Sequence, residues 1–238
     1  MKAQVLFQAG RLQEAVQALG AELRDNPADA RRRTFLFELL CFAGDYQRAE
    51  KQLDVLAGDG NQAQLGALLY RAALHATRIR EGIFEKGDYP APPLPDGVQI
   101  AGTVNGKAFE SITDADPRIG ARLEVFAAGD YLWIPFEHVS SVDNEPPKRL
   151  RDLLWTPAIV RTGPAFKGKE LGEVLLPVLS PLSGKHPDDA VRLGRSTEWQ
   201  DHAGLSVPVG QKLFLVDDEE LPILEIRHLE FSAAQAAP

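Results

Sequence analysis

Cysteine is nearly absent: Cys41 is the only one in 238 residues. A lone thiol forms no internal disulfide and offers no pair for a zinc site, which fits a reducing compartment. Basic charge is scarce too, with 26 Lys and Arg against 34 Asp and Glu, a net charge of −8. That balance argues against a protein held to nucleic acid by phosphate neutralisation. No window approaches the roughly 18 consecutive apolar residues of a membrane helix. The opening MKAQVLFQAGRLQEA has no apolar run of signal-peptide length. The expectation is a soluble, cytoplasmic protein that binds neither nucleic acid nor membrane. What is present, 44% hydrophobic and 25% charged residues, lies in the globular range.

Proline is missing from one stretch and crowded in another. Only Pro27 precedes residue 90, and the other sixteen run from Pro90 to Pro238. Charge divides at the same place: residues 1–90 hold 12 basic and 12 acidic side chains, residues 91–238 hold 14 and 22. The junction, Gly87-Asp-Tyr-Pro-Ala-Pro-Pro-Leu-Pro95, is stiff and extended, and no helix crosses it. These shifts predict a helical module over residues 1–88, a proline-rich linker over 89–97 and a mixed α+β module over 98–238.

The first module contains a repeat. Gly10-Arg-Leu-Gln-Glu-Ala15 and Gly44-Asp-Tyr-Gln-Arg-Ala49 lie 34 residues apart, and Leu19 and Leu53 follow in register. Thirty-four is the period of tetratricopeptide-like helix pairs. Glycine permits the turn between paired helices, and alanine lets them approach. Pro27 and the turn Gly58-Asp-Gly-Asn61 fall where such pairs end. Residue 37, a small-residue position in the pattern, is Phe, so plain helical hairpins remain the alternative. Two pairs fit, the first shortened to an opening helix at about residues 2–9, and a long helix follows at about 62–86. Arrays below about three repeats rarely stand alone. The helical module is therefore expected to pack on the second.

Strand signals dominate the second module. Val98–Val104 and Lys107–Ile112 flank Asn105-Gly106, the preferred two-residue hairpin turn. Leu123–Ala127 and Tyr131–Phe136 flank Gly129-Asp130, and Lys212–Val216 and Leu221–Ile226 flank Asp217-Asp-Glu-Glu220. Pro147–Leu154 reads as a short helix started by proline. Together these predict an α+β fold: tetratricopeptide-like hairpins packed on a largely antiparallel β module with short helices.

Chemical motifs are hard to find. Gly102–Lys107 lacks the spacing and the hydroxyl of a phosphate loop. None of the five histidines has zinc-ligand spacing, and His186, followed by Pro-Asp-Asp, reads as a solvated loop residue. Asp114-Ala-Asp116 precedes Pro117 and reads as a turn, and Asp217–Glu220 as a hairpin tip. Ser residues sit in no nucleophile elbow. The three tryptophans, Trp133, Trp155 and Trp199, are expected in the core or at the module interface. No catalytic residue, metal ligand or cofactor follows from these patterns.

The helix around residues 34–43 carries a second stripe. Phe35, Leu36, Leu39, Leu40 and Ala43 make a broad core face. Thr34, Glu38, Cys41 and Phe42 form the other stripe, which in tetratricopeptide geometry lines the concave side with Gln4 and Phe7. An exposed Phe42 there would make a groove for a partner helix; cover by the long third helix or the second module is the alternative.

The ordered motifs Asp114-Ala-Asp-Pro-Arg-Ile-Gly120, Leu123-Glu-Val-Phe126, Tyr131-Leu-Trp-Ile-Pro-Phe-Glu137, Glu145-Pro-Pro-Lys-Arg-Leu-Arg-Asp-Leu-Leu-Trp155, Arg192-Leu-Gly-Arg-Ser-Thr-Glu-Trp199 and Phe214–Pro222 resemble the ImpE/TagJ family. These are accessory proteins of bacterial type VI secretion, and the resemblance covers nearly the whole chain. It implies a non-enzymatic cytoplasmic accessory without a cofactor. The implied partners are the small subunit of the contractile sheath and the ATPase that recycles the sheath. No catalytic residues are carried over. Joined to the repeat, the resemblance places a helical segment of the sheath subunit against Gln4, Phe7, Thr34, Glu38, Cys41 and Phe42. Two other readings stand beside it: a metal-dependent small-molecule enzyme using Asp114/Asp116 or Asp217–Glu220, and an acidic adaptor for an unrelated basic partner.

Overall fold

Both glycines of the 34-residue repeat turn the chain in the same way. The computed structural model describes residues 2–59, 61–91, 100–164, 166–168 and 170–232. Gly10 has φ +79° and Gly44 has φ +68°, a region that penalises any side chain. Gly10 separates α1 (Lys2–Gln8) from α2 (Leu12–Asp25), and Gly44 separates α3 (Ala30–Phe42) from α4 (Tyr46–Leu56). The repeated Ala15 and Ala49, and the repeated Leu19 and Leu53, are fully buried. Asp29 and Asp45 cap α3 and α4, accepting from the backbone N–H of Arg32 and Arg48 at 2.9 and 3.3 Å. The long α5 (Asn61–Lys86) follows. Phe37 fills space a small residue would leave empty: its ring meets Tyr70 of α5 edge-on at 4.9 Å and lies 6.2 Å from Trp155.

From residue 100 the chain is mostly strand, and every described pairing is antiparallel. The strands are β1 (Gly102–Val104), β2 (Lys107–Phe109), β3 (Ile112–Asp114), β4 (Arg122–Ala127), β5 (Asp130–Pro135), β6 (Val139–Asn144), β7 (Trp155–Thr162) and β8 (Gly172–Pro177). After the short α6 (Asp189–Arg192) come β9 (Thr197–His202), β10 (Leu205–Gly210), β11 (Leu213–Val216), β12 (Glu219–Pro222) and β13 (His228–Phe231). The main sheet runs β2-β1-β13-β6-β7-β8-β4-β5, beside a three-stranded sheet β12-β11-β3 and a ribbon β10-β9.

The three hairpins form, with local shifts. Asn105 and Gly106 turn at φ +50° and +82°. The second turn is Ala128-Gly129, one residue earlier than expected, because Asp130 already pairs with Ala127. Asp217 and Asp218 make the third turn, and Glu219 and Glu220 belong to β12. The expected strand Lys107–Ile112 is split, since β2 joins β1 while β3 pairs with β11. Val98 and Gln99 lie outside the described residues. The proline-started segment is a 3-10 turn over Leu150–Leu153, and another 3-10 turn, Ile223–Glu225, ends the final predicted strand early.

The helices pack on the β module through one continuous core. That cluster joins Leu12, Leu19, Phe37, Leu40 and Phe42 to Phe126, Leu154, Trp155 and Leu193. A second core fills the sheet side around Val125, Phe136, Val160, Phe214 and Leu229. Polar contacts cross the same boundary. Trp155 Nε1 donates to Thr77 Oγ1 at 2.9 Å, Arg192 Nη2 to Ala43 O at 2.8 Å, and Arg195 Nη2 to Phe7 O at 2.7 Å. Gly184 meets Gly44 backbone to backbone, so a Cβ on Gly184 would sit 2.9 Å from Gly44 Cα. Of the expected linker, residues 92–97 lie outside the described residues, and Tyr89 stacks on Trp133 at 6.1 Å. Among the described residues no helix is long and apolar enough to cross a membrane.

Candidate partner-binding groove

A groove of about 440 Å³ opens between α1 and α3, lined by Gln4, Phe7, Gln8, Arg31, Thr34, Phe35, Glu38 and Leu150. Helical spacing explains the α3 contribution. Arg31, Thr34 and Phe35, and Glu38 recur every three to four residues and so share one face. The short α1 supplies the opposite wall. Its last carbonyls, of Phe7 and Gln8, accept from the Arg195 guanidinium, whose Cζ also lies 5.2 Å from the Phe7 ring centroid. Phe7 and Phe35 meet edge to face at 5.8 Å. Leu150 closes one side from the β module, so the groove belongs to both parts of the chain.

Four of the six residues read from the sequence, Gln4, Phe7, Thr34 and Glu38, line this groove. Cys41 and Phe42 do not, and the exposed stripe is corrected at those two positions. Phe42 is 0% exposed and Cys41 3%. The C-terminal half of α3 runs beneath α5 and the β module, so Leu36 through Phe42 are all buried. Cys41 instead lines a small inner cavity of about 30 Å³ with Tyr46, Thr77, Trp155 and Ser180. Burial there pushes its thiol well above the ordinary value. The other four lining residues, Gln8, Arg31, Phe35 and Leu150, are not among those the sequence pointed to. Periodicity places Phe35 on the core face, and Leu150 is more than a hundred residues away along the chain, with no local pattern to link it to α3.

Glu38 is the one acidic side chain in the lining. Burial pushes its carboxyl up to about 7, against the charge of Arg151 and a hydrogen bond with Tyr70.

Of the carboxylates considered as metal ligands, Asp114, Asp116 and Asp217 are otherwise engaged. Asp114 is paired with Lys212, and Lys212 Nζ also donates to Glu124 Oε2 at 2.6 Å. Arg80 of α5 binds Glu124 with two bonds, at 2.7 and 2.8 Å. Asp116 accepts from Arg118 Nε at 2.8 Å. Burial opposes charge on Glu124, yet Arg80 and Lys212 hold its carboxyl well below the usual range. Asp217 Oδ1 accepts from the backbone N–H of Glu110 and Ser111 at 2.9 and 2.8 Å, which lowers its pKa. The Asp114–Asp116 pair is thus the floor of a buried ion network, and Asp217 ties a hairpin tip to β2 and β3. Among the described residues no three His, Cys, Asp or Glu side chains gather as a metal site.

Two further sequence expectations change. Trp199 is 41% exposed on the β9–β10 ribbon, whereas Trp155 is buried at the module boundary. His186 is not a solvated loop residue: its side chain is 8% exposed and stands 3.4 Å from Glu198.

Comparison with known proteins bears on both halves of the chain. The family model described as ImpE protein matches residues 106–230, and a tetratricopeptide repeat model matches residues 6–72. The type VI secretion system accessory component TagJ of Pseudomonas aeruginosa strain PAO1 is 33% identical over 268 aligned residues, spanning 99% of this chain and 93% of that protein. The crystal structure of protein VPA1032 from Vibrio parahaemolyticus superposes with a TM-score of 0.84 at 22% identity, covering 98% of each chain, and shows the same fold.

Proposed function

The chain belongs to the ImpE family, and on that premise we propose that it is a cytoplasmic, non-enzymatic accessory of a type VI secretion system whose groove binds a helical segment of the small contractile-sheath subunit. Its role is linked through that subunit to the ATPase that recycles the sheath. The likeness to the Pseudomonas accessory component supports the accessory role. The observation that carries the binding reading is the groove itself, about 440 Å³ between α1 and α3, where the touching rings of Phe7 and Phe35 offer an aromatic surface beside the polar side chains of Gln4, Thr34 and Glu38. Helix-in-groove recognition uses just such apolar anchors at helical spacing.

The test is calorimetry between the full chain and the purified small sheath subunit. Phe7 is only half-buried, so Phe7→Ala is expected to leave the protein folded while weakening binding by about 2 kcal/mol, roughly thirtyfold. A folded Phe7→Ala protein with unaltered affinity would move the site away from α1 and α3.

A further inference from the structure

Glu38 is buried without an adequate partner. It is 9% exposed, and among the described residues no cation lies within ion-pair distance of its carboxylate. Its neighbours are Tyr70, which shares a hydrogen bond with it, and Arg151 and Asp152, which act on it from farther away. Arg151 is itself committed, stacked 5.4 Å from the Tyr70 ring centroid and 3.6 Å from Asp152. A carboxylate in this position faces the groove with acceptor capacity unused. At the other end of the same stripe Arg31 is exposed on the rim. Seven residues, two helical turns, separate the two charges by about 10 Å along α3. Between them lie Thr34 and Phe35, with Phe7 and Leu150 across the groove.

This deepens the helix-binding reading and rests on it. We propose that the bound helix lies along α3 with a lysine or arginine over Glu38 and a carboxylate over Arg31, seven residues apart, and apolar side chains between them. Above about pH 7 an apolar cover alone would strip the remaining water from Glu38 and leave a charge buried without a counterion, which is unfavourable. A cation at that point removes the conflict and fixes the register of the helix, while the pair at Arg31 selects its polarity.

Acid should therefore weaken binding. In the free protein Glu38 holds a proton up to about pH 7 because it is buried. A cation in the groove requires the ionised form, so below that point each binding event releases a proton. Tyr70 and Cys41, both pushed upward by burial, keep their protons throughout this range. Arg31, Arg151, Asp152 and, beyond Tyr70, Arg149 complete the charged surroundings.

The probe is the purified small sheath subunit, titrated into the full chain at about pH 6 and about pH 8. The wild type is expected to bind about tenfold more weakly at the lower pH. Glu38→Gln should bind at least about tenfold more weakly than wild type at the higher pH and lose the pH dependence. Arg31→Glu changes only a rim residue, so its folding is not at stake. It should bind several-fold more weakly and keep the pH dependence. Wild-type affinity independent of pH, or Glu38→Gln binding like wild type, overturns the charge register. If Phe7→Ala still weakens binding about thirtyfold in that case, the groove stands and only the register falls. No wild-type binding at either pH sinks both.

Discussion

Lys212 is 1% exposed and yet paired with two carboxylates, those of Asp114 and Glu124. Such a charge is tolerated inside a protein only with its counterions in place. Glu124 is the hinge of the cluster, because Arg80, Lys212 and the Tyr131 hydroxyl all donate to it. Glu124→Gln keeps the shape but takes from Arg80 its closest counterion, leaving it only Glu81 at 3.8 Å, and leaves Lys212 with Asp114 alone. It should lower unfolding free energy by about 3–5 kcal/mol in urea titrations; a loss below about 1 kcal/mol would show that the network does not hold the modules. None of this was legible locally. Asp114 and Asp116 stand out as a motif, but Lys212 is 98 residues from Asp114, and Arg80 is 44 from Glu124. Cys41 and Phe42 failed for a related reason. Helical periodicity shows which residues share a face, and not how many faces of a central helix are covered. A helix buried on every side looks, in sequence, like one with a second exposed stripe.

Elements were more readable than their arrangement. The Gly–Ala–Leu repeat located both helix pairs because each of its positions answers a local demand, a left-handed turn or a close approach. Asn105-Gly106 located a hairpin for the same reason. Sheet order was hidden. β13 lies between β1 and β6, so the third strand from one edge comes from residues 228–231. The contact between Gly44 and Gly184 was equally hidden, although Gly44 alone was flagged as a turn. Here two loops from different modules touch at backbone distance. Gly184→Ala would place its Cβ 2.9 Å from Gly44 Cα and 3.0 Å from Gly44 N, closer than carbon tolerates. The expected cost is about 1–3 kcal/mol, read as a lower melting temperature. Gly82→Ala, at a helical site with open space around its Cβ, should stabilise slightly or change nothing and serves as the control.

The whole molecule has no clean seam. Its helical core continues into Phe126, Leu154, Trp155 and Leu193, and α5 turns Thr77, Arg80 and Glu81 toward groups beyond residue 120. A fragment of residues 1–86 would expose that apolar face and leave Arg80 without Glu124. It should be partly unfolded or aggregated, as judged by amide dispersion and by the absence of a cooperative melt; a well-dispersed, cooperatively melting fragment would contradict the shared core. The composite groove adds one consequence. Since Leu150 stands on the β module while the other lining residues stand on α1 and α3, the groove is complete only while the helices stay packed on the β module. Whatever occupies it must favour the clasped form by mass action. By reciprocity, any load that pries the halves apart lowers the hold on the occupant by the same free energy.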